Sequence, residues 1–136
     1  MKYPFSLIPL LSIVNVSCLL DPSNCICTTD IKHYSVHILN TNHQPIDSLL
    51  TWTAMRHSGI VLRADTSSGS HSYLSPGEYI VLTDEEMKYF SLIFYEPVVF
   101  HASNSKYDVT QQFVFYIDDC QCHLYKFSGP DTIILQ

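Results

Sequence analysis

Cysteine is the residue type with the most chemistry to offer in this chain, because the five cysteines occupy distinctive positions. Cys18 closes an apolar N-terminal segment, and the other four form two Cys-x-Cys pairs, Cys25/Cys27 and Cys120/Cys122. A thiol can be acylated, oxidised to a disulfide, or deprotonated to bind a metal ion. The positions predict a lipid-attachment site at Cys18 and a cross-link or a ligand cluster made by the two pairs.

The segment before Cys18 has the composition of a cleaved secretory signal. It carries one positive charge, at Lys2, and is then nearly free of polar groups. It is too short and too broken by prolines to be a convincing membrane-spanning helix. Ser17 followed by Cys18 resembles a bacterial lipobox, in which the cysteine is acylated, although Asn15 stands where an aliphatic residue is usual.

We therefore expect a signal peptide at 1–17, a lipidated tether at 18–24 and a single domain at 25–136. Acylation of Cys18 would hold the protein at a membrane surface without a spanning helix. The alternative is an ordinary signal peptide with Cys18 inside its tail. Leu19 after the anchor favours an outer-membrane lipoprotein of a bacterial cell envelope, facing the periplasm or the cell surface.

Size and charge limit what the exported domain binds. Removing 17 of the 136 residues leaves 119, which is enough for one modest core. The leader takes Lys2 with it, so 6 basic and 13 acidic residues remain, a net charge of −7. Nucleic-acid binding depends on neutralising phosphates, so this charge argues against a nucleic-acid partner. Export makes disulfides the expected state of the cysteines.

Short β-rich runs separated by turn residues fill the chain after the tether, without sustained helical periodicity. They predict an all-β fold, a small Ig-like or transthyretin-like β-sandwich of seven to eight short antiparallel strands. One helical turn is expected at 84–88, and 90–95 is assigned to a short strand.

Alternation within these runs predicts which side chains face the core. The predicted inward sets are Tyr34, Val36 and Ile38 in the first run, Leu50, Trp52 and Ala54 in the second, and Phe113, Phe115 and Ile117 in the longest. Thr51 and Thr53 are assigned to the opposite side of the second run.

Several short motifs resemble those of bacterial lipoproteins with a carboxypeptidase regulatory-like, transthyretin-like β-sandwich. They are the runs at 27–31, 42–46, 75–79 and 119–123, so the resemblance covers about residues 25–127. It implies a non-catalytic domain in which Cys27 pairs with Cys122, leaving Cys25 and Cys120 as an added pair. His43 replaces the usual turn glycine, which requires a different turn geometry or a left-handed histidine.

The two Cys-x-Cys pairs are interpreted mainly as disulfides. Cysteines two apart on a strand share a face, so neighbouring first and last strands would allow two adjacent bridges. Each would close a loop of roughly 95 residues; the first bridge stabilises by about 4–5 kcal/mol and the second adds little. The alternative is a metal-binding or redox protein, with Cys25, Cys27, Cys120, Cys122 and His123 as ligands.

Other residues give weaker indications of chemistry. Asp118, Asp119 and Asp131 are interpreted as solvated ends rather than a calcium site, because no interrupted Asp-x-Asp loop with a glycine surrounds them. No Gly-x-Ser-x-Gly elbow is present, so a hydrolase would need a convergent site that the sequence does not display. A carbohydrate platform would use the tyrosines Tyr89, Tyr95 and Tyr107.

Together these features predict a non-enzymatic, lipid-anchored envelope module with a structural or interaction function. Its expected partners are the membrane, through the anchor, and an envelope protein or glycan. No cofactor and no catalytic residue is expected.

Overall fold

The computed structural model describes residues 25–65 and 74–136, and the predicted signal peptide, Cys18 and the tether at 18–24 lie outside these residues. The fold is a β-sandwich, as predicted, with 51% of the described residues in strands and 6% in helical turns. The elements in chain order are β1 His33–Asn40, β2 Leu50–Met55, β3 Val61–Asp65, β4 Glu78–Thr83, a 3₁₀ helix Asp84–Tyr89, β5 Glu96–Ser103, β6 Asp108–Ile117, β7 Leu124–Ser128 and β8 Thr132–Leu135.

Two sheets form the sandwich. The smaller has the order β4-β1-β8 and the larger the order β3-β2-β5-β6-β7. All neighbouring strands are antiparallel except β1 and β8, which pair in parallel from His37 opposite Thr132 to Asn40 opposite Leu135. The first and last strands therefore do lie side by side, but in the orientation opposite to the one predicted.

The core lies between the sheets and follows the alternation of β1 and β6. Val36 and Ile38 of β1 and Phe113 and Phe115 of β6 are fully buried, and Tyr34 packs partly buried against the same core. The predicted inward faces of these two strands are confirmed. Period-two alternation was informative here because each strand has one side against the other sheet.

The predicted faces of β2 are wrong for four of its residues, although Ala54 is buried as predicted. Thr51 and Thr53 are buried, whereas Leu50 and Trp52 are exposed on the outer side of the larger sheet. Thr53 satisfies its hydroxyl by donating to the Val81 carbonyl at 2.8 Å, so its methyl group can pack in the core without an unpaired polar atom. A β-branched threonine with a hydrogen-bond partner thus takes the place that the hydrophobic pattern assigned to Leu50 and Trp52.

The 3₁₀ helix occupies the predicted helical turn and begins with a capping box. The Thr83 hydroxyl accepts from the Glu85 N–H at 3.2 Å, and the buried Glu86 carboxylate accepts from the Thr83 N–H at 2.7 Å. The prediction of a strand at 90–95 is wrong. After this helix the chain runs through an irregular loop into β5. A run that is apolar on both faces suits a strand buried on both sides, and the side chains of Leu92–Tyr95 are exposed instead.

The turn after β1 uses a left-handed histidine, one of the two alternatives that the sequence left open. His43 has φ of 58°, and the Asn40 side chain stabilises the turn by accepting from the backbone N–H groups of Asn42 and Gln44. An asparagine that caps its own turn compensates for the missing glycine.

The segments that carry the cysteines and the candidate site lie at one end of the sandwich. Strands β1, β3, β5 and β7 begin there, and β2, β4 and β6 finish there. Glu96 at the start of β5 is opposite Phe115 near the end of β6, and Ile117 is opposite Leu124 at the start of β7. The segment 25–32, the 3₁₀ helix, the loop at 90–95 and the turn at 118–123 all lie at this end, which we call the cysteine end.

Candidate functional site

Two disulfides join the segment before β1 to the turn between β6 and β7. Cys25 is bonded to Cys120 with Cα atoms 5.5 Å apart, and Cys27 to Cys122 with Cα atoms 5.4 Å apart. This is the pairing that the resemblance implies. None of the four cysteines lies in a strand, so the bridges do not depend on the pairing of β1 with β8.

The disulfides argue against the alternative of a metal site made by Cys25, Cys27, Cys120, Cys122 and His123. A sulfur atom in a disulfide has no thiolate to offer a metal ion. Within residues 25–65 and 74–136, no group of three or more His, Cys, Asp or Glu side chains is arranged to hold one.

Beside the disulfides lies a partly buried network centred on His123, whose imidazole is buried. Its Nδ1 atom is 2.7 Å from the Asp84 Oδ2 atom, and its Nε2 atom is 2.9 Å from the Thr28 Oγ1 atom. The imidazole and the carboxylate have only 8% and 10% of their side-chain surface exposed. Thr28 belongs to the segment before β1, Asp84 begins the 3₁₀ helix and His123 precedes β7, so one ring joins three distant segments.

Electrostatics and hydrogen bonding determine the protonation of this network. Burial raises the pKa of Asp84, but hydrogen bonds from His123 and from the backbone N–H groups of Lys32 and Leu124 outweigh it, so the pKa lies below the ordinary 3.8. Asp84 is therefore ionised at neutral pH and can only accept hydrogen bonds. In the neutral imidazole Nδ1 carries the proton, and Nε2 accepts from the Thr28 hydroxyl.

Neighbouring groups hold the network in position. The Tyr34 hydroxyl donates to the Leu124 carbonyl at 2.5 Å, and burial, reinforced by the negative charge of Asp84, raises the pKa of Tyr34 to about 12. The Asp118 carboxylate accepts from the N–H groups of Cys122 and His123 at 2.7 and 3.0 Å. Asp118, interpreted from the sequence as a solvated strand end, instead shapes the turn that carries two of the cysteines.

The order of these groups is that of a nucleophile, a base and an orienting carboxylate. A hydroxyl that donates to an imidazole, whose other nitrogen donates to a carboxylate, can be activated for attack on a carbonyl carbon. Thr28 is exposed to solvent. A groove of about 370 Å³ beside Asp84 is lined also by Met87, Leu92 and Gln121, but neither Thr28 nor His123 is among its lining residues. The arrangement therefore has both a structural and a chemical interpretation.

The structure does not unite the three tyrosines of the predicted carbohydrate platform. Tyr95 and Tyr107 lie at opposite ends of the eight-residue strand β5, which separates them by about 26 Å. Tyr107 packs against the core, whereas Tyr89 and Tyr95 are exposed at the cysteine end. Tyr95 packs instead with Phe127 and Tyr116, with ring centroids 4.6 and 5.3 Å away.

Thr28 and Asp84 were not predicted as site residues. Asp84 follows a strand and precedes a capping glutamate, a pattern that indicates a helix start and no more. Its contact with His123 spans 39 residues and that of Thr28 spans 95. No local spacing signals such contacts. The cysteines next to Thr28 and His123 indicate that these two segments meet, but nothing in the sequence places Asp84 beside them.

Comparison of the chain with models of protein families, with curated proteins and with solved structures finds no match. Among the described residues, no helix has the length and apolar character needed to cross a membrane.

Proposed function

We propose that this chain is a non-enzymatic, lipid-anchored β-sandwich of a bacterial cell envelope, with a structural or interaction function. The observation that carries the proposal is the cross-linking of the segment that follows the tether, through Cys25 and Cys27, to the β6–β7 turn. A tethered domain is pulled at the point where the tether joins it. Covalent bonds at this point transmit the force to the larger sheet instead of detaching β1.

The setting of the domain supports the same function. Two disulfides indicate an oxidising compartment outside the cytoplasm. The tether at 18–24 connects Cys18 to Cys25 through a few polar residues, and acylation of Cys18 makes the membrane the first partner. Besides the membrane, the module binds an envelope protein or a glycan. The acidic surface keeps the displayed domain soluble.

Expression of the full chain in a bacterium with an outer membrane tests the anchor. We expect the native chain to incorporate radiolabelled palmitate and to fractionate with outer membranes. The Cys18→Ser variant should do neither, while Asn15→Leu, which restores an aliphatic residue three positions before the cysteine, should be processed at least as well. Native chain that is unlabelled and recovered in the soluble fraction would contradict the proposal.

One observation favours a second function, an esterase-like hydrolase. In this reaction the Thr28 hydroxyl oxygen attacks an ester carbonyl and gives its proton to the His123 Nε2 atom, 2.9 Å away. The imidazolium returns the proton to the departing alcohol, and water then releases the acid from Thr28. The structural function is preferred because His123 and Asp84 are buried and the Asp84 carboxylate is fully used in holding the chain together.

A p-nitrophenyl acetate assay separates the two functions. A hydrolase loses its activity with Thr28→Ala, keeps it with Thr28→Ser, and is unaffected by Thr29→Ala, an exposed neighbour that serves as the matched control. A structural module shows the same background rate for the native chain and for all three variants.

A further inference from the structure

Large apolar side chains are exposed mainly at the cysteine end. Thirteen are exposed among the described residues, and nine of them lie at this end. The nine are Ile26, Ile31, Ile60, Val61, Tyr89, Leu92, Ile93, Phe94 and Tyr95. Scattered exposed apolar residues need no explanation, but concentration at one end of a soluble domain indicates an interaction surface.

The loop between the 3₁₀ helix and β5 is the most apolar part of this end. Four consecutive side chains, those of Leu92, Ile93, Phe94 and Tyr95, are 59%, 80%, 64% and 57% exposed. Tyr95 fixes the base of the loop by packing its ring against Phe127 and Tyr116 on the outer side of the larger sheet. The loop therefore presents Ile93 and Phe94 outward from a rigid base.

The chain that lies outside the structure indicates what covers this loop. Residues 1–24 continue from Cys25, and Cys25 is bonded to Cys120 at the same end. The seven residues from 18 to 24 reach at most about 25 Å when fully extended. A lipid on Cys18 thus holds the cysteine end, and not the opposite end, close to the bilayer.

Charge at this end favours an apolar contact over an electrostatic one. Glu85, Asp118 and Asp119 lie near the groove and the disulfide-bonded turn, while Lys88 belongs to the last turn of the 3₁₀ helix. These carboxylates would not attract anionic headgroups. Aromatic and aliphatic side chains, by contrast, are favoured at the boundary between headgroups and acyl chains.

We propose that the loop Leu92–Tyr95 inserts into the interfacial region of the membrane to which the chain is anchored, so that the domain lies on the bilayer with its cysteine end down. The inference rests on the proposed lipid anchor. A lipobox cysteine carries two or three acyl chains, which hold the chain on the bilayer but do not set the orientation of the domain. The loop supplies an additional contact that also orients the domain.

The test uses the full chain, acylated in bacteria and reconstituted into phosphatidylcholine vesicles that contain phosphatidylcholine brominated high on the acyl chain. Trp52 is the only tryptophan and lies on the outer side of the larger sheet. A Trp52→Phe/Phe94→Trp variant moves the fluorophore to the loop, and the native chain serves as the matched control. Flotation of the vesicles reports the anchor independently of fluorescence.

We expect both chains to float, with strong quenching and a blue-shifted emission for the tryptophan at 94 and no quenching of Trp52. Floating chains in which neither tryptophan is quenched would overturn the loop contact and leave the anchor intact. Chains that do not float would overturn the anchor, and this inference with it. An Ile93→Ser/Phe94→Ser variant should float and keep its melting temperature but should dissociate from vesicles faster than the native chain.

Discussion

The imidazole of His123 shows how much one buried side chain can connect. It binds Thr28 and Asp84, and Asp84 binds the backbone of Lys32 and Leu124 in turn. No side-chain nitrogen or oxygen among the described residues is buried without a partner. Because an unpaired buried charge is far more costly than a satisfied one, loss of one member of this network exposes the others to that cost.

Asp84→Asn should reduce the free energy of unfolding at neutral pH by about 1–3 kcal/mol, since an amide cannot accept as strongly as a carboxylate. The pKa of Asp84 is lowered in the folded state, so the stability that its ionised form contributes is present above pH 3.8 and is lost as the pH falls through the folded pKa. Urea unfolding measured as a function of pH should therefore show a smaller loss in acid for the variant. Asp119→Asn, at an exposed position, is the control and should behave like the native chain.

Individual site residues are also what the sequence predicted least well. It identified the four cysteines of the two disulfides, because cysteine chemistry depends on residue type and compartment and not on the fold. It could not identify Thr28 or Asp84, because a threonine and an aspartate acquire a special function only through partners that the tertiary fold supplies.

Strands and turns were more predictable, for a local reason. Alternation determines the faces of β1 and β6, where one side is buried, and turn residues mark most boundaries. Alternation failed for β2, where Leu50 and Trp52 face outward. It also failed at 90–95, where continuous apolar character was interpreted as a strand. Alternation could not give the parallel pairing of β1 with β8, because it carries no information on which strands are neighbours.

The turn between β7 and β8 depends on a glycine in a way that can be measured. Gly129 has φ of 128°, and a Cβ atom there would lie 2.2 Å from a ring carbon of the fully buried Phe113. Gly129→Ala should lower the free energy of unfolding by about 2–4 kcal/mol, from backbone strain together with overpacking. Gly59 also has a positive φ, of 68°, but has open space around it, so Gly59→Ala should cost only about 1 kcal/mol. Equal losses in urea unfolding of the two variants would contradict the contact with Phe113.

At the scale of the whole molecule, the two disulfides act as one constraint. Each spans 95 residues, and closing a loop of that size stabilises the fold by about 4–5 kcal/mol, whereas a second bridge beside the first closes almost no new loop. In a Cys18→Ser background, replacing one disulfide-bonded pair with serine should lower the free energy of unfolding by about 1 kcal/mol. Replacing all four cysteines should lower it by about 4–5 kcal/mol relative to the chain with both disulfides. Denaturant unfolding of the three variants tests this, and additive losses would contradict a shared constraint.

The sequence separation of the bridged cysteines also determines when the disulfides can form during synthesis. A ribosome adds about 5–20 residues per second, so Cys25 and Cys27 emerge roughly 5–20 s before Cys120 and Cys122. β1 can pair with β4 before the second cysteine pair is made, but its other neighbour, β8, follows that pair in the chain. Throughout that interval Cys25 and Cys27 lack their native partners, and the smaller sheet is incomplete. The polypeptide can therefore still be threaded across a membrane until Cys120 and Cys122 have been made, and the bridges form only once these two cysteines share a compartment with Cys25 and Cys27.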